Sequence, residues 1–184
     1  MYNYSLQEGH RLQRKQMNKL TEIQKLIQLA KYPEALAACD DLSLNQPELL
    51  LEILRQKSHI YSRQAKYELA VSQLAQIIDM GKATIGDFHS AAFWALYNEQ
   101  FEQALDWYLM VLKIGEDTNE TWFRSNALHL VAYIYMELGE FDKAIYYLDK
   151  DDENDKDSSF LIPIKGFCEV NELREEIRRR TLES

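Results

Sequence analysis

Apolar positions recur at helical spacing from Leu20 to Leu148, in stripes broken by short polar corners. Leu20, Ile23, Ile27 and Ala30 share one face of a long first helix, which the pattern extends over about 6–30. Later stripes predict helices over 33–43, 47–63, 67–80, 84–98, 101–114, 119–137 and 141–149. Pro47 suits a first helical turn. Thr118 or Asn119 is placed to cap the seventh helix, with Thr121 and Trp122 entering it. The run DKDDENDKDSS (149–159) reads as a polar linker, FLIPIKGF after it is apolar, and Glu169 to Thr181 reads as a short final helix.

One corner is repeated. The segments KYPEALAACDDL (31–42), KYELAVSQLAQI (66–77), QFEQALDWYLMV (100–111) and EFDKAIYYLDKD (140–151) each place a polar residue before an aromatic: Tyr32, Tyr67, Phe101, Phe141. Alanine follows three residues later, at Ala35, Ala70, Ala104 and Ala144, and a core-sized residue seven later, at Cys39, Leu74, Tyr108 and Leu148. The aromatics stand 35, 34 and 40 residues apart, a period near that of helical repeat arrays. Nine residues before the last three aromatics are Ser58, Ala92 and Ala132, and six before are Tyr61, Ala95 and Tyr135. Small residues let two helices approach closely, and the aromatic fills the space beside them. The unit this implies is an antiparallel helix pair whose apolar faces are buried by neighbouring units.

This pattern resembles the tetratricopeptide repeat (TPR) family over residues 16–151, most closely in AYIYMELGEFDKAIYYL (132–148), with its Leu-Gly before the turn. Pro47, fifteen residues after Tyr32, matches the family's proline after the second helix. Leu54, Phe88 and Leu128 stand where the family has tryptophan, the turn glycine occurs once, and the long third-to-fourth step places an insertion near Gly115 to Thr121. The resemblance implies an all-α fold, a right-handed α-solenoid of antiparallel helix pairs, with a long N-terminal helix and a C-terminal capping helix. The repeats fall at about 16–49, 51–84, 85–118 and 119–152 of a single 1–184 domain. Residues 158–182 form the cap, or 160–182 part of a fifth repeat. In this family the first helices line a concave groove that holds an extended peptide or a helix. The matching positions are Arg55, His59 and Arg63, then His89, Phe93 and Tyr97, then His129, Tyr133 and Glu137. The family's Lys and Asn carboxylate clamp is not reproduced, which disfavours a dicarboxylate tail as ligand.

Composition agrees with an all-α chain: the 184 residues hold only 6 Gly and 3 Pro. The formal charge is −9, and residues 98–157 carry fifteen acids against five bases. That field repels phosphate backbones, so nucleic acid is not expected, and it favours a basic protein or peptide partner. The same acids also read as solvated helix faces. No secretory signal and no apolar run of membrane-spanning length is found; the longest is Leu130 to Met136. Cys39 and Cys168 form no CxxC pair, and a reducing cytoplasm is the expected setting. Cys39, in a core slot, reads as a small hydrophobe.

His59, His89 and His129 lie on three helices, too far apart for one metal ion, and read as hydrogen-bonding or pH-sensitive contacts. The acidic run from Asp149 to Asp157 lacks the glycine and closing glutamate of an EF-hand. With no phosphate loop, nucleophile elbow or HExxH, neither a cofactor nor an enzyme activity is expected. The expected function is a non-catalytic, cytoplasmic module that captures a protein or peptide. A small immunity or inhibitor protein against a basic toxin or enzyme, and a TPR-type secretion chaperone, are the rival readings. Oligomeric state stays open, with Leu6 and Leu12 placed to pair or swap. If the alanines are contact points, Ala104→Leu or Ala144→Leu overpacks them and costs about 1–3 kcal/mol in denaturant unfolding. A variant that unfolds like wild type refutes the contact.

Overall fold

The structure, a computed structural model, describes residues 19–120, 122–151, 159–163 and 165–183. Residues 6–18 of the expected first helix, with Leu6 and Leu12, lie outside the described residues, as do Thr121 and most of the linker, 152–158. The chain divides between Lys66 and Tyr67 into two compact units.

In the first unit, α1 covers residues 19–28, α2 Tyr32–Asn45 and α3 Leu50–Arg63, with a 3-10 turn at Pro47–Leu49. The expected 47–63 helix therefore begins as this tighter turn, with Pro47 in its first position. Ile23 and Ile27 of α1 bury against Ala35, Cys39 and Leu42 of α2 and Ile53 and Ile60 of α3. Ala30 does not continue the α1 stripe; it leaves the helix with φ +55° and is exposed. Lys19 to Asp41 (3.0 Å) and Lys57 to Asp40 (2.6 Å) pair across this small core. Burial pushes the Cys39 thiol up to about 11, which fits a packing role.

The second unit holds α4 (Tyr67–Asp79), α5 (Ile85–Tyr97), α6 (Phe101–Thr118), α7 (Arg124–Glu137) and α8 (Phe141–Asp149). An antiparallel hairpin, β1 (Ser159–Ile162) and β2 (Gly166–Glu169), precedes α9 (Val170–Glu183). Each helix packs on the next, from α4 to α8, and α9 closes on α8 and α7 through Val170, Leu173 and Ile177. Ala104 and Ala144 have no exposed surface, and neither do Ala92, Ala95 and Ala132 opposite them in the repeat pattern. α7 is buried continuously from Ala127 to Met136, because helices and the hairpin cover every side of it. Helix α5 starts with a capping box: Thr84 accepts from the Asp87 N–H while the Asp87 carboxylate accepts from the Thr84 N–H, 2.8 Å away.

The expected insertion is spent as one more turn of α6. That helix runs to Thr118 and ends where Asn119 takes φ +58°. The Glu120 N–H then bonds the Gly115 carbonyl at 3.0 Å. A side chain at Gly115 would meet the Glu120 carbonyl at 2.8 Å, so the fold-back requires glycine there. Asn119 thus stops α6 instead of capping α7, which starts at Arg124. The apolar run after the linker forms a two-stranded hairpin within an otherwise helical fold, turning at Pro163 and at Gly166, φ +95°. Among the described residues no helix is long and apolar enough to cross a membrane.

The corner of the repeat has one geometry throughout. Ala30, Ala65, Glu99 and Gly139, each two residues before the marker aromatic, have φ between +54° and +76°. The next N–H bonds back five residues each time: Lys31 to Leu26 (2.9 Å), Lys66 to Tyr61 (2.9 Å), Gln100 to Ala95 (3.0 Å) and Glu140 to Tyr135 (2.8 Å). Three non-glycine residues thus hold the left-handed conformation that the lone turn glycine holds freely. Left-handed backbone costs an L residue about 1–2 kcal/mol, offset partly by the freedom glycine adds to the unfolded chain. Ala65→Gly and Glu99→Gly are each expected to stabilise by about 0.5–1 kcal/mol, and Gly139→Ala to destabilise by a similar amount, in denaturant unfolding. Destabilisation by both glycine variants contradicts this reading of the corner.

Candidate functional site

Residues four apart on a helix share a face, so each candidate triplet forms a stripe. On α3 of the first unit, His59 and Arg63 are exposed and Arg55 is half-buried, 3.6 Å from Glu52. Partial desolvation, and then the Arg63 guanidinium, lower the pKa of His59.

The α5 stripe is aromatic. His89, Phe93 and Tyr97 are half-buried. The His89 Nε2 lies 2.9 Å from Asn126 Oδ1, with the imidazole N–H donating to the amide oxygen, and so ties α5 to the start of α7. The His89 ring is tilted against Phe123 at 4.7 Å and meets Tyr108 edge-on at 5.6 Å. Burial lowers the His89 pKa, opposed by the bond to Asn126. Tyr97 stacks on Tyr67 at 4.2 Å, and Phe93 meets both Trp94 and Tyr97 edge-on. Such ring pairs contribute about 0.5–1.5 kcal/mol each beyond burial and hold the face rigid. Tyr67 and Trp94 were not among the expected groove residues. Tyr67 is the marker aromatic of its corner, and Trp94 stands one residue off the four-residue spacing.

The open stripe expected on α7 is covered. His129 is 3% and Tyr133 4% exposed, and Glu137 is half-buried. Phe160 of β1 lies on the His129 ring at 5.0 Å. Lys165, in the hairpin turn, sits over the Tyr133 ring at 4.8 Å and donates to Glu137 at 2.7 Å. Arg180 of α9 reaches the same carboxylate at 3.4 Å. Burying Phe160, 5% exposed, contributes roughly 1.5–3 kcal/mol to holding the hairpin down. The chain's own C-terminal segment therefore fills the place where the family likeness put a partner.

Asp151 seals the same face from the end of α8. Its Oδ1 accepts from the Ser125 hydroxyl (3.0 Å) and from Arg124 (3.4 Å), which also bonds the Lys150 carbonyl. Its Oδ2 approaches His129 Nε2 at 2.8 Å, off the hydrogen-bond direction. Thus one residue of the acidic run is a buried structural group. Each histidine of this unit's stripes has its own partner: His89 has Asn126 and His129 has Asp151. A cavity of about 310 Å³ opens beside Gly115, lined by Ile85, Leu112, Glu116, Arg124 and Tyr147 among others. Its wall mixes both signs of charge, and no stripe residue lines it.

No family model matches the sequence, and neither does any curated protein. Solved structures do. A tetratricopeptide repeat protein from Parabacteroides merdae aligns over 91% of this chain and 62% of its own, with a TM-score of 0.70 and 18% identity. The nearly identical TPR-like repeats of a kinesin light chain from Podosopora anserina align over 74% of this chain and 72% of theirs (TM-score 0.60, 19% identity). The C-terminal part of a TPR repeat-containing protein from Cytophaga hutchinsonii covers 76% of this chain and 52% of its own (TM-score 0.58, 20% identity). At these identities the likeness is one of fold: the helix pairs are those of a TPR-like α-solenoid.

Because burial lowers the His89 pKa in the fold, the unfolded chain binds the extra proton first as pH falls. The stability this group contributes is present above the unfolded pKa of about 6.5 and is lost as pH drops below it. The stability gap between wild type and His89→Gln is expected to be wider at pH 7.5 than at pH 5. A gap that does not change with pH, by denaturant titration, removes this role.

Proposed function

We propose that this protein is a non-catalytic interaction module that holds a segment of a partner protein on the aromatic face of α5. The single observation that supports this most is the face itself. His89, Phe93 and Tyr97, extended by Tyr67 and Trp94, form a pre-stacked, half-buried cluster with no charged side chain among them. Rigid aromatics are the usual anchors of interfaces, because they lose little freedom on binding. Arg55, His59 and Arg63 on α3 form a second contact set, suited to acidic or aromatic groups. His129, Tyr133 and Glu137 act indirectly, by seating the hairpin. The net negative charge of residues 98–157 favours fast encounter with a basic partner. The site offers no activated nucleophile, and a cytoplasmic setting fits the two free thiols.

The test is capture from the native source followed by binding with purified components. Phe93→Ala with Tyr97→Ala is expected to weaken the interaction at least 30-fold, about 2 kcal/mol, while circular dichroism stays unchanged. Met110→Ala, on the exposed side of α6, should bind as wild type does. Equal binding by the double variant refutes the α5 face as contact surface.

A further inference from the structure

The covered stripe on α7 shows what the half-exposed stripe on α5 is shaped to receive. We propose that the partner segment presents a lysine or arginine side chain to α5, seated over Phe93 and Tyr97 as Lys165 is seated over Tyr133, with Glu99 as its counter-charge. This rests on the α5 reading above and names the group that anchors there.

The two stripes hold equivalent places in the repeat, and two of their three contacts match. The marker aromatic of the preceding corner meets each stripe: Tyr67 on Tyr97 at 4.2 Å, and Phe101 on Tyr133 at 6.4 Å. A phenylalanine also lies on each histidine: Phe123 on His89 at 4.7 Å, and Phe160 on His129 at 5.0 Å. One phenylalanine stands just before α7 and the other lies in β1, so the likeness belongs to the stripes and not to the segments that cover them. The third contact on α7 is a cation. The Lys165 ammonium stands 4.8 Å from the Tyr133 ring centre and donates to Glu137 at 2.7 Å. Phe93 holds the place of Tyr133 in the repeat, yet no lysine or arginine of the described residues lies over it or over Tyr97. Both rings stay half-buried.

The chemistry narrows the occupant. The face of an aromatic ring is electron-rich and attracts a cation within about 6 Å of its centre. On α5 the rings are more numerous than on α7: Tyr67 and Tyr97 lie within 16° of parallel, and Phe93 stands at 77° to Tyr97. Lysine and arginine bury their alkyl stems along such rings while the charged head reaches past them. That head needs an acid, and the α5 stripe has Tyr97 where α7 has Glu137. The next carboxylate along the chain is Glu99, in the corner two residues beyond Tyr97. Glu99 is exposed and in no ion pair with a described residue, whereas Glu137 is held by Lys165 and Arg180. Residues 98–157, with fifteen acids against five bases, add a field of the same sign. A basic side chain fits both the rings and the charge; an acidic one is repelled by both.

The experiment pans a display library of random 12-residue peptides on the full-length chain at low salt. The enriched peptides are expected to share a lysine or an arginine. Replacing that residue by norleucine or citrulline should weaken binding about tenfold or more. Phe93→Ala with Tyr97→Ala should weaken the parent peptide too. Glu99→Gln should weaken it about fivefold, and Asp117→Asn, the same loss of charge at the far end of α6, less than about twofold. Binding that tolerates norleucine or citrulline overturns the cationic anchor. If the Phe93 and Tyr97 double variant still weakens that binding, the α5 face stands as a contact of another kind. Equal effects of Glu99→Gln and Asp117→Asn assign the attraction to the general acidic field and also overturn the proposal. Peptides indifferent to the double variant, or no enrichment at all, sink both readings.

Discussion

The tightest constraint in the molecule is the approach of helix to helix at residues no larger than alanine. Ala35, Ala70, Ala104 and Ala144 have no exposed surface, and each follows a left-handed corner at a fixed distance. The two features work together. Within each unit the corner reverses the chain within three residues, and the helix it starts lies against the one it leaves: α2 on α1, α6 on α5 and α8 on α7. A larger side chain at the alanine would force the helices apart while the corner held them together. That the corner forms with Ala30, Ala65 and Glu99 as readily as with Gly139 shows packing overriding backbone preference.

Where the repeat lengthens, the same physics absorbs the change. The extra residues between Phe101 and Phe141 extend α6 by a turn and fold back over Gly115, leaving the next corner unaltered. Helix α7, which follows, is buried continuously from Ala127 to Met136, packed by α6, α8, α9 and β1. Its groove stripe is covered by Phe160, Lys165 and Arg180, whereas the equivalent stripe on α5 keeps its aromatic rings half-exposed. Two faces of equal standing in the repeat have become unlike: one is covered by the chain's own hairpin and the other keeps its rings half-exposed.

Charge follows this division. Several acids of the negative stretch hold far-off bases: Glu137 with Lys165, Asp149 with Arg174 at 2.7 Å, and Asp151 with Arg124. The first two join α7 and α8 to the C-terminal elements, and the third ties the end of α8 back to the start of α7. The exposed pairs to Lys165 and Arg174 are individually weak, on the order of 0–1 kcal/mol, so they select where the hairpin and α9 sit while buried Phe160, Leu173 and Ile177 supply most of the hold. The acidic stretch is therefore both a solvated surface and a set of structural pairs.

The repeat was legible along the chain because its signals are local: an aromatic, an alanine three later and a core residue seven later are set by one helical turn and its corner. Cys39, Leu74, Tyr108 and Leu148 are all buried, as that spacing requires. Helix boundaries near Asn119 were not legible, since the same residue suits the end of one helix or the start of the next. The hairpin was not legible either. FLIPIKGF is too short for periodicity to separate strand from helix, and its pairing partner lies across a turn. The order of residues by itself determined which positions are buried within each helix pair. Which groove positions remain open was decided only in three dimensions, because exposure depends on what a distant segment covers, and no local spacing encodes the arrival of Phe160 on His129.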